Sequence, residues 1–239
     1  MWRVNVGFLG RHCRSSYCEP VSANRTLDFM KHALIIGATG GIGGALAKQL
    51  KGKYDLSLVG RDSTSLRALK SATDGTVIPT DVASELEVQA LFEELSPIDL
   101  LVYSAGDIQP ELIKQASGEA YRRVLDANLA GLLFTLKYAE AKLNKDARVY
   151  VLGARPELIT YRGFGIYAAA KAGVKALVDI AAIEMKRKAS FTLVLPKAVA
   201  TDFWDNVGSP PKDALKPEDV AGAVVESLGG EPQDELRVG

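Results

Sequence analysis

From residue 31 onward, short continuous apolar runs alternate with stretches in which apolar residues recur every three or four positions. The runs are Ala33–Ile36, Leu56–Val59, Thr76–Ile78, Leu100–Tyr103, Val149–Leu152, Phe191–Leu195 and Leu236–Val238. Their length and their bounding turn residues read as strands. Between them, Ile42, Leu46 and Leu50 begin a helical pattern that returns over about 63–71, 84–95, 118–143, 167–188 and 217–228. The last of these opens with Pro217, Glu218 and Asp219, which suit a helix N-terminus, and ends at Gly229 and Gly230. Strands that are apolar on both faces need cover on both sides, and strand–helix alternation builds a parallel sheet. The expected fold is therefore α/β: a single doubly wound domain with a parallel sheet of about seven strands and helices on both faces. Its longest irregular connection should run from Asp205 to Pro217, a length typical of lids and binding loops.

Composition narrows the class of partner. The chain has 239 residues, 47% of them hydrophobic, enough for a sizeable core in one domain. Its 29 basic and 29 acidic side chains cancel, so no overall field draws it to nucleic acid or an anionic membrane. No apolar run approaches the roughly 18 residues of a membrane span.

Residues 1–29 differ from the rest. They hold Arg3, Arg11, Arg14 and Arg25 against Glu19 and Asp28, and both cysteines, Cys13 and Cys18. This extension reads either as an organellar transit peptide or as sequence upstream of a true start at Met30, leaving 30–239 as the folded domain. The first reading places the protein in a plastid or mitochondrion, the second in the cytoplasm. His12, Cys13, Cys18 and His32 match no zinc spacing, so no metal site is expected.

Candidate chemistry begins directly after the first strand, at Gly37-Ala38-Thr39-Gly40-Gly41-Ile42-Gly43. Glycines at a strand–helix turn let a pyrophosphate approach the uncapped amides of the helix. The second strand ends in Gly60-Arg61, where nicotinamide-binding folds of the Rossmann type read the adenosine ribose. An arginine there can pair with a 2′-phosphate, which favours NADP over NAD. Tyr167 and Lys171 lie four residues apart on one helix face, so they can converge on one ligand as an acid/base pair.

From Lys31 to the C-terminus these motifs, in this order, resemble the short-chain dehydrogenase/reductase family. Gly37, Gly41 and Gly43 resemble its cofactor glycines, with Thr39, Gly40 and Ile42 in the same turn. Asp81-Val82 resembles the pair that contacts adenine, and Ser104-Ala105-Gly106 its Asn-Ala-Gly element with serine for asparagine. Asn128 resembles the asparagine that supports a water in the proton relay, and Tyr167 and Lys171 match the Tyr-x-x-x-Lys signature. Pro196, Val199 and Thr201 resemble the segment beside the nicotinamide, with Lys197 in place of glycine.

The resemblance implies a Rossmann-like NADP(H)-dependent oxidoreductase that moves hydride between the nicotinamide and a carbonyl or alcohol carbon. Tyr167 would deliver the proton, and Lys171, together with the positive nicotinamide in the oxidised state, would lower its pKa and also hold the ribose. It also implies a homodimer or homotetramer built from the 118–143 helix, whose apolar surface exceeds what one sheet needs, and the Tyr167 helix. Phe203, Trp204, Val207, Pro210 and Pro211 would form an apolar lid over an apolar or aromatic small molecule.

One position departs from the family. Thirteen residues before the tyrosine, where the resemblance implies a substrate-polarising serine, stands Ala154. Thr160, Tyr161 or Arg155 could replace that donor, or an activated substrate could need none. Otherwise the protein binds NADP(H) with little catalysis, as a sensor or partner.

Overall fold

The computed structural model describes residues 30–239; His12, Cys13, Cys18 and both readings of the leader lie outside the described residues. Seven strands are seen among these: β1 (His32–Ile36), β2 (Asp55–Gly60), β3 (Thr76–Pro79), β4 (Ile98–Tyr103), β5 (Leu143–Leu152), β6 (Ala189–Pro196) and β7 (Glu235–Val238). They form one sheet in the order β3-β2-β1-β4-β5-β6-β7, and every neighbouring pair is parallel. The helices are α1 (Gly41–Leu50), α2 (Ser63–Thr73), α3 (Glu85–Glu94), α4 (Gly118–Leu125), α5 (Gly131–Ala139), α6 (Pro156–Ile159), α7 (Gly165–Glu184) and α8 (Pro217–Ser227).

Alternation along β1 shows why both faces must be covered. Ala33 and Ile35 pack with Leu46 and Leu50 of α1, Leu66 of α2 and Val220 and Val224 of α8. Leu34 and Ile36 point the other way, into Val88 and Phe92 of α3, Leu132 and Leu136 of α5 and Val174 and Val178 of α7. All four β1 residues are fully buried, so the strand reads as a continuous apolar run. The chain winds outward from β1 to β3 and then crosses to β4 on the other side. Loops leaving β1 and β4 therefore diverge and open a crevice at the carboxyl ends of the strands.

Two boundaries depart from the sequence pattern. The single helix expected over 118–143 is instead α4, a π-helical turn at Asp126–Ala130, and α5, which ends at Ala139. Side chains divert its carbonyls: Asn128 donates to Val124 O and the Tyr103 hydroxyl to Ala127 O, while the Gly131 N–H reaches back five residues to Asp126 O. Gly131 allows the close approach, since a Cβ there would stand 2.6 Å from Tyr103 Oη. Strand β5 starts at Leu143, six residues before its apolar run. Asp146 there takes φ +64°, and the β4–β5 register shifts between Ile98 and Leu100, so polar Asn144, Lys145 and Asp146 interrupt the pattern.

Leu133 of α5 and Ile180 and Ile183 of α7 remain exposed. No helix of the described residues is long and apolar enough to cross a membrane. Nor, among them, does any group of three His, Cys, Asp or Glu side chains come close enough to hold a metal ion.

Candidate active site

The crevice is a cavity of about 440 Å³. One end is the glycine turn. Gly37 adopts φ +81°, and a Cβ on it would lie 2.7 Å from the carbonyl carbon of Ser104, so the residue must be glycine for both reasons. Ser104 Oγ donates to Ile36 O at 2.8 Å and so ties the ends of β1 and β4 together. No side chain caps α1 at Gly40, and Gly40, Gly41, Ile42 and Gly43 line the crevice. The first amides of the helix are thus presented there with their positive dipole end.

Arg61 lies exposed on the same wall. Its neighbour Asp62 is engaged elsewhere, accepting the Thr64 and Ser65 amides as the cap of α2. Thr39 packs over Gly60. Asp81 holds the turn before α3 by accepting from the Ala83 amide, and Val82 is buried against Gly131. Thr39, Asp81 and Val82 are not on the crevice wall, whereas Ala105, Gly106, Asn128, Tyr167, Lys171, Pro196, Val199 and Thr201 are.

At the other end, α7 delivers Tyr167 between Phe164, at 6.3 Å between ring centroids, and Phe203, at 5.5 Å. Lys171 follows one turn later, its Nζ 5.7 Å from the Tyr167 ring centroid and donating to Leu152 O at 2.8 Å. Both are buried. Burial pushes the Tyr167 phenol above its ordinary range and lowers the Lys171 ammonium to about 8. Without the cofactor, desolvation of the phenolate sets the direction of the Tyr167 shift; the expected lowering belongs to the state in which Lys171 acts together with an oxidised nicotinamide. Asn128, in the π turn, gives both Nδ2 hydrogens to carbonyls, while its buried Oδ1 has no partner among the described residues.

Ala154 lines the crevice without a hydroxyl, and the groups that could replace it are committed elsewhere or stand away. Thr160 Oγ1 donates to Pro156 O, and Tyr161 is 74% exposed; neither is on the wall. Arg155 is on the wall, but its Nε and Nη2 hold the carbonyls of Leu195, Val238 and Gly239. Apolar Leu158, Ile159, Phe164, Phe203 and Trp204 complete the mouth. Of the anticipated lid, Phe203 and Val207 pack with Tyr167, and Pro210 and Pro211 are exposed. Sequence reasoning missed Asp107 and Arg123, which also line the crevice; their pairing joins a loop to a helix, with no spacing signal between them.

These residues fit a dinucleotide. The glycine turn and bare helix end suit a pyrophosphate, Arg61 suits a phosphate beyond the ribose, and Asn128 Oδ1 waits for a donor at the inner end.

Known proteins resemble this chain in sequence and fold. The family model described as short chain dehydrogenase matches residues 31–212. A crystal structure from Thermus thermophilus, described as a short-chain oxidoreductase, is 40% identical, covering 84% of this chain and 97% of its own, with a TM-score of 0.79. The alcohol dehydrogenase of the archaeon Thermococcus sibiricus, complexed with 5-hydroxy-NADP, is 26% identical over 88% of this chain and 96% of its own, with a TM-score of 0.75. A 3-oxoacyl-[acyl-carrier-protein] reductase of Synechocystis is 28% identical over 80% of this chain and 86% of its own.

Proposed function

The chain belongs to the short-chain dehydrogenase family, and from that premise we propose that it is an NADP(H)-dependent oxidoreductase acting on a carbonyl or alcohol. The observation that carries the reading is the convergence of Tyr167, Lys171 and Asn128 with the glycine turn on one crevice. The similar alcohol dehydrogenase complexed with 5-hydroxy-NADP supports the choice of cofactor, as does Arg61 on the crevice wall.

The nicotinamide, when bound, supplies or accepts the hydride. The protein's own part is the proton. A phenol held above its ordinary pKa by burial is fully protonated at neutral pH, so Tyr167 Oη is ready to protonate a substrate oxygen during reduction. Lys171, with a pKa of about 8, is still mostly an ammonium at pH 7 and stabilises the phenolate that results. The apolar mouth excludes water and favours an apolar or aromatic substrate body. Without a hydroxyl at position 154, the substrate oxygen receives one donor fewer, so an intrinsically electrophilic carbonyl suits the site best.

The test is NADPH consumption, with NADH in parallel, against aldehydes, ketones and quinones. Turnover with NADPH should exceed that with NADH. Tyr167→Phe should lose about 10²–10⁴-fold in kcat at unchanged thermal stability, because no group of the described residues bonds the tyrosine hydroxyl. Ala154 favours one second reading, an NADP(H)-binding protein with little catalysis; NADPH binding with no difference between wild type and Tyr167→Phe would establish it over the first.

A further inference from the structure

A pair of charged side chains unused by the proposed reaction faces the same crevice. Asp107 follows Gly106 beyond β4, and Arg123 lies in α4. Arg123 grips the carboxylate through Nε to Oδ2 at 2.6 Å and Nη2 to Oδ1 at 3.2 Å, and its Nη1 reaches Gln109 Oε1. The Asp107 side chain is 16% exposed and that of Arg123 46%. A half-exposed pair of this kind adds little to stability, so its placement calls for another reason.

Asn128 bonds one end of the bridge and the residue next to the other. Its Nδ2 donates to the backbone carbonyl of Asp107 at 2.7 Å and to Val124 O, the residue after Arg123, at 2.8 Å. A side-chain amide has two N–H donors. With both fixed on carbonyls from the two bridged segments, the amide cannot turn, and Oδ1 must face the opposite side. That side is the space above Gly106, where an added Cβ would fall 2.8 Å from Asn128 Oδ1 and 3.7 Å from Lys171 Nζ. The oxygen and the ammonium thus border one small volume, and the oxygen is buried without a partner among the described residues.

We propose that the Asp107–Arg123 ion pair is a positioning clamp: it holds the loop after β4 against α4 at the spacing the Asn128 amide bridges, so that Oδ1 stays aimed toward Lys171 Nζ. The idea rests on the reading of Tyr167 and Lys171 as the proton-delivering pair, and it adds two positioning residues to that site. An oxygen held near the ammonium, directly or through one water, favours its charged form. Releasing the clamp lets the amide rotate, weakens that acceptor and makes Lys171 easier to deprotonate. The other ionisable groups on the crevice, Arg61, Arg155, Tyr167, Lys197 and Asp202, are the same in every variant, and loss of Arg123 or of Asp107 removes charges of opposite sign, so a shift in the same direction in both reports the clamp rather than the lost charge.

The experiment is an NMR titration of protein carrying ¹³Cε-lysine, comparing wild type with Arg123→Leu, Asp107→Asn and Arg123→Lys, with Lys171→Met to assign the resonance. Arg123→Leu and Asp107→Asn should each lower the Lys171 pKa by about one unit, and Arg123→Lys should recover part of the shift. In turnover assays the alkaline limb of kcat should move the same way, with kcat down about tenfold and NADPH affinity unchanged. The double variant should be no worse than either single one. An unmoved Lys171 titration in the folded variants would overturn the clamp, as would losses that add. If the titration moves as expected while wild type shows no turnover, the clamp stands and the oxidoreductase reading fails. Should Arg123→Leu not fold, Asp107→Asn and Arg123→Lys decide the question alone.

Discussion

The two edges of the sheet bury similar polar residues and use them in opposite ways. At the amino edge, His32 is 7% exposed. Its Nδ1 faces the carbonyls of Ser96 and Pro97 at 3.2 and 3.0 Å, so that nitrogen carries a proton, and its Nε2 meets Ser57 Oγ at 2.9 Å. Asp99 closes the network, taking the His32 amide on one oxygen and Asn144 Nδ2 on the other. At the carboxyl edge groups are left open: among the described residues Asn128 Oδ1 has no partner, and Lys171 is a buried cation that donates to a backbone carbonyl and meets no carboxylate. Polar groups that end on one another hold a fold together, whereas buried groups left open on a crevice wall mark where a ligand can complete them; Thr135 Oγ1 and Arg148 Nε are also without partners among the described residues but lie off that wall. Topology decides which edge is which, because only at the carboxyl edge do the loops diverge.

The largest test of this contrast beyond Tyr167 itself is Ala154→Ser. It adds a donor to the open edge, and a correctly placed donor to a developing oxyanion is worth on the order of 100-fold in rate. A gain of that size in kcat/KM, without change in stability, would show that the open edge is short of one group. No gain for any carbonyl would mean that the site is shaped for a substrate that needs none.

A smaller effect is expected at the closed edge. His32→Leu keeps the bulk but leaves Ser57 Oγ and two carbonyls with fewer partners, at a cost of about 2 kcal/mol. Urea unfolding should register that loss, while NADPH affinity, read at the far edge, stays the same. A parallel loss of affinity would show that the two edges are not independent.

Much of this was legible in the chain, and the limits have physical causes. Apolar runs located all seven strands, because strands buried on both faces carry a continuous signal, and helix α8 was marked by its own proline and glycines. The 118–143 region misled because helical periodicity survives a π turn: Asn128 and Gly131 alter the hydrogen bonding without disturbing the apolar stripe. The start of β5 was hidden by Asn144, Lys145 and Asp146, which sit at an irregularity where side-chain alternation carries no information. At the site, Gly37, Arg61, Tyr167 and Lys171 stood out because each lies at a fixed offset from a strand end or along one helix turn, and Asn128 stood out through the family resemblance alone. Asp107 and Arg123 did not, since only the packing of a loop on α4 brings them together. The direction of the Tyr167 shift was likewise not readable, because it depends on burial, which motif spacing does not report.

Lys171→Met gives the smallest change in stability and the most informative one. The lysine is lowered from its ordinary 10.5 to about 8 by burial, which corresponds to roughly 3 kcal/mol of preference for the neutral form. Below pH 8 the side chain is charged in both folded and unfolded protein, so the folded state bears that whole cost. Between about pH 8 and 10.5 the folded state sheds its proton first and the cost fades, so this group makes the wild type more stable as pH rises. Methionine removes the charge but leaves Leu152 O without its donor, a loss of about 2 kcal/mol. The variant should therefore be about 1 kcal/mol more stable than wild type at pH 7 and less stable above pH 10.5, with activity lost throughout. Urea midpoints for both proteins across that range measure the difference directly. A difference that does not vary with pH would mean that Lys171 is not a strained cation, and that the carboxyl edge is as closed as the amino one.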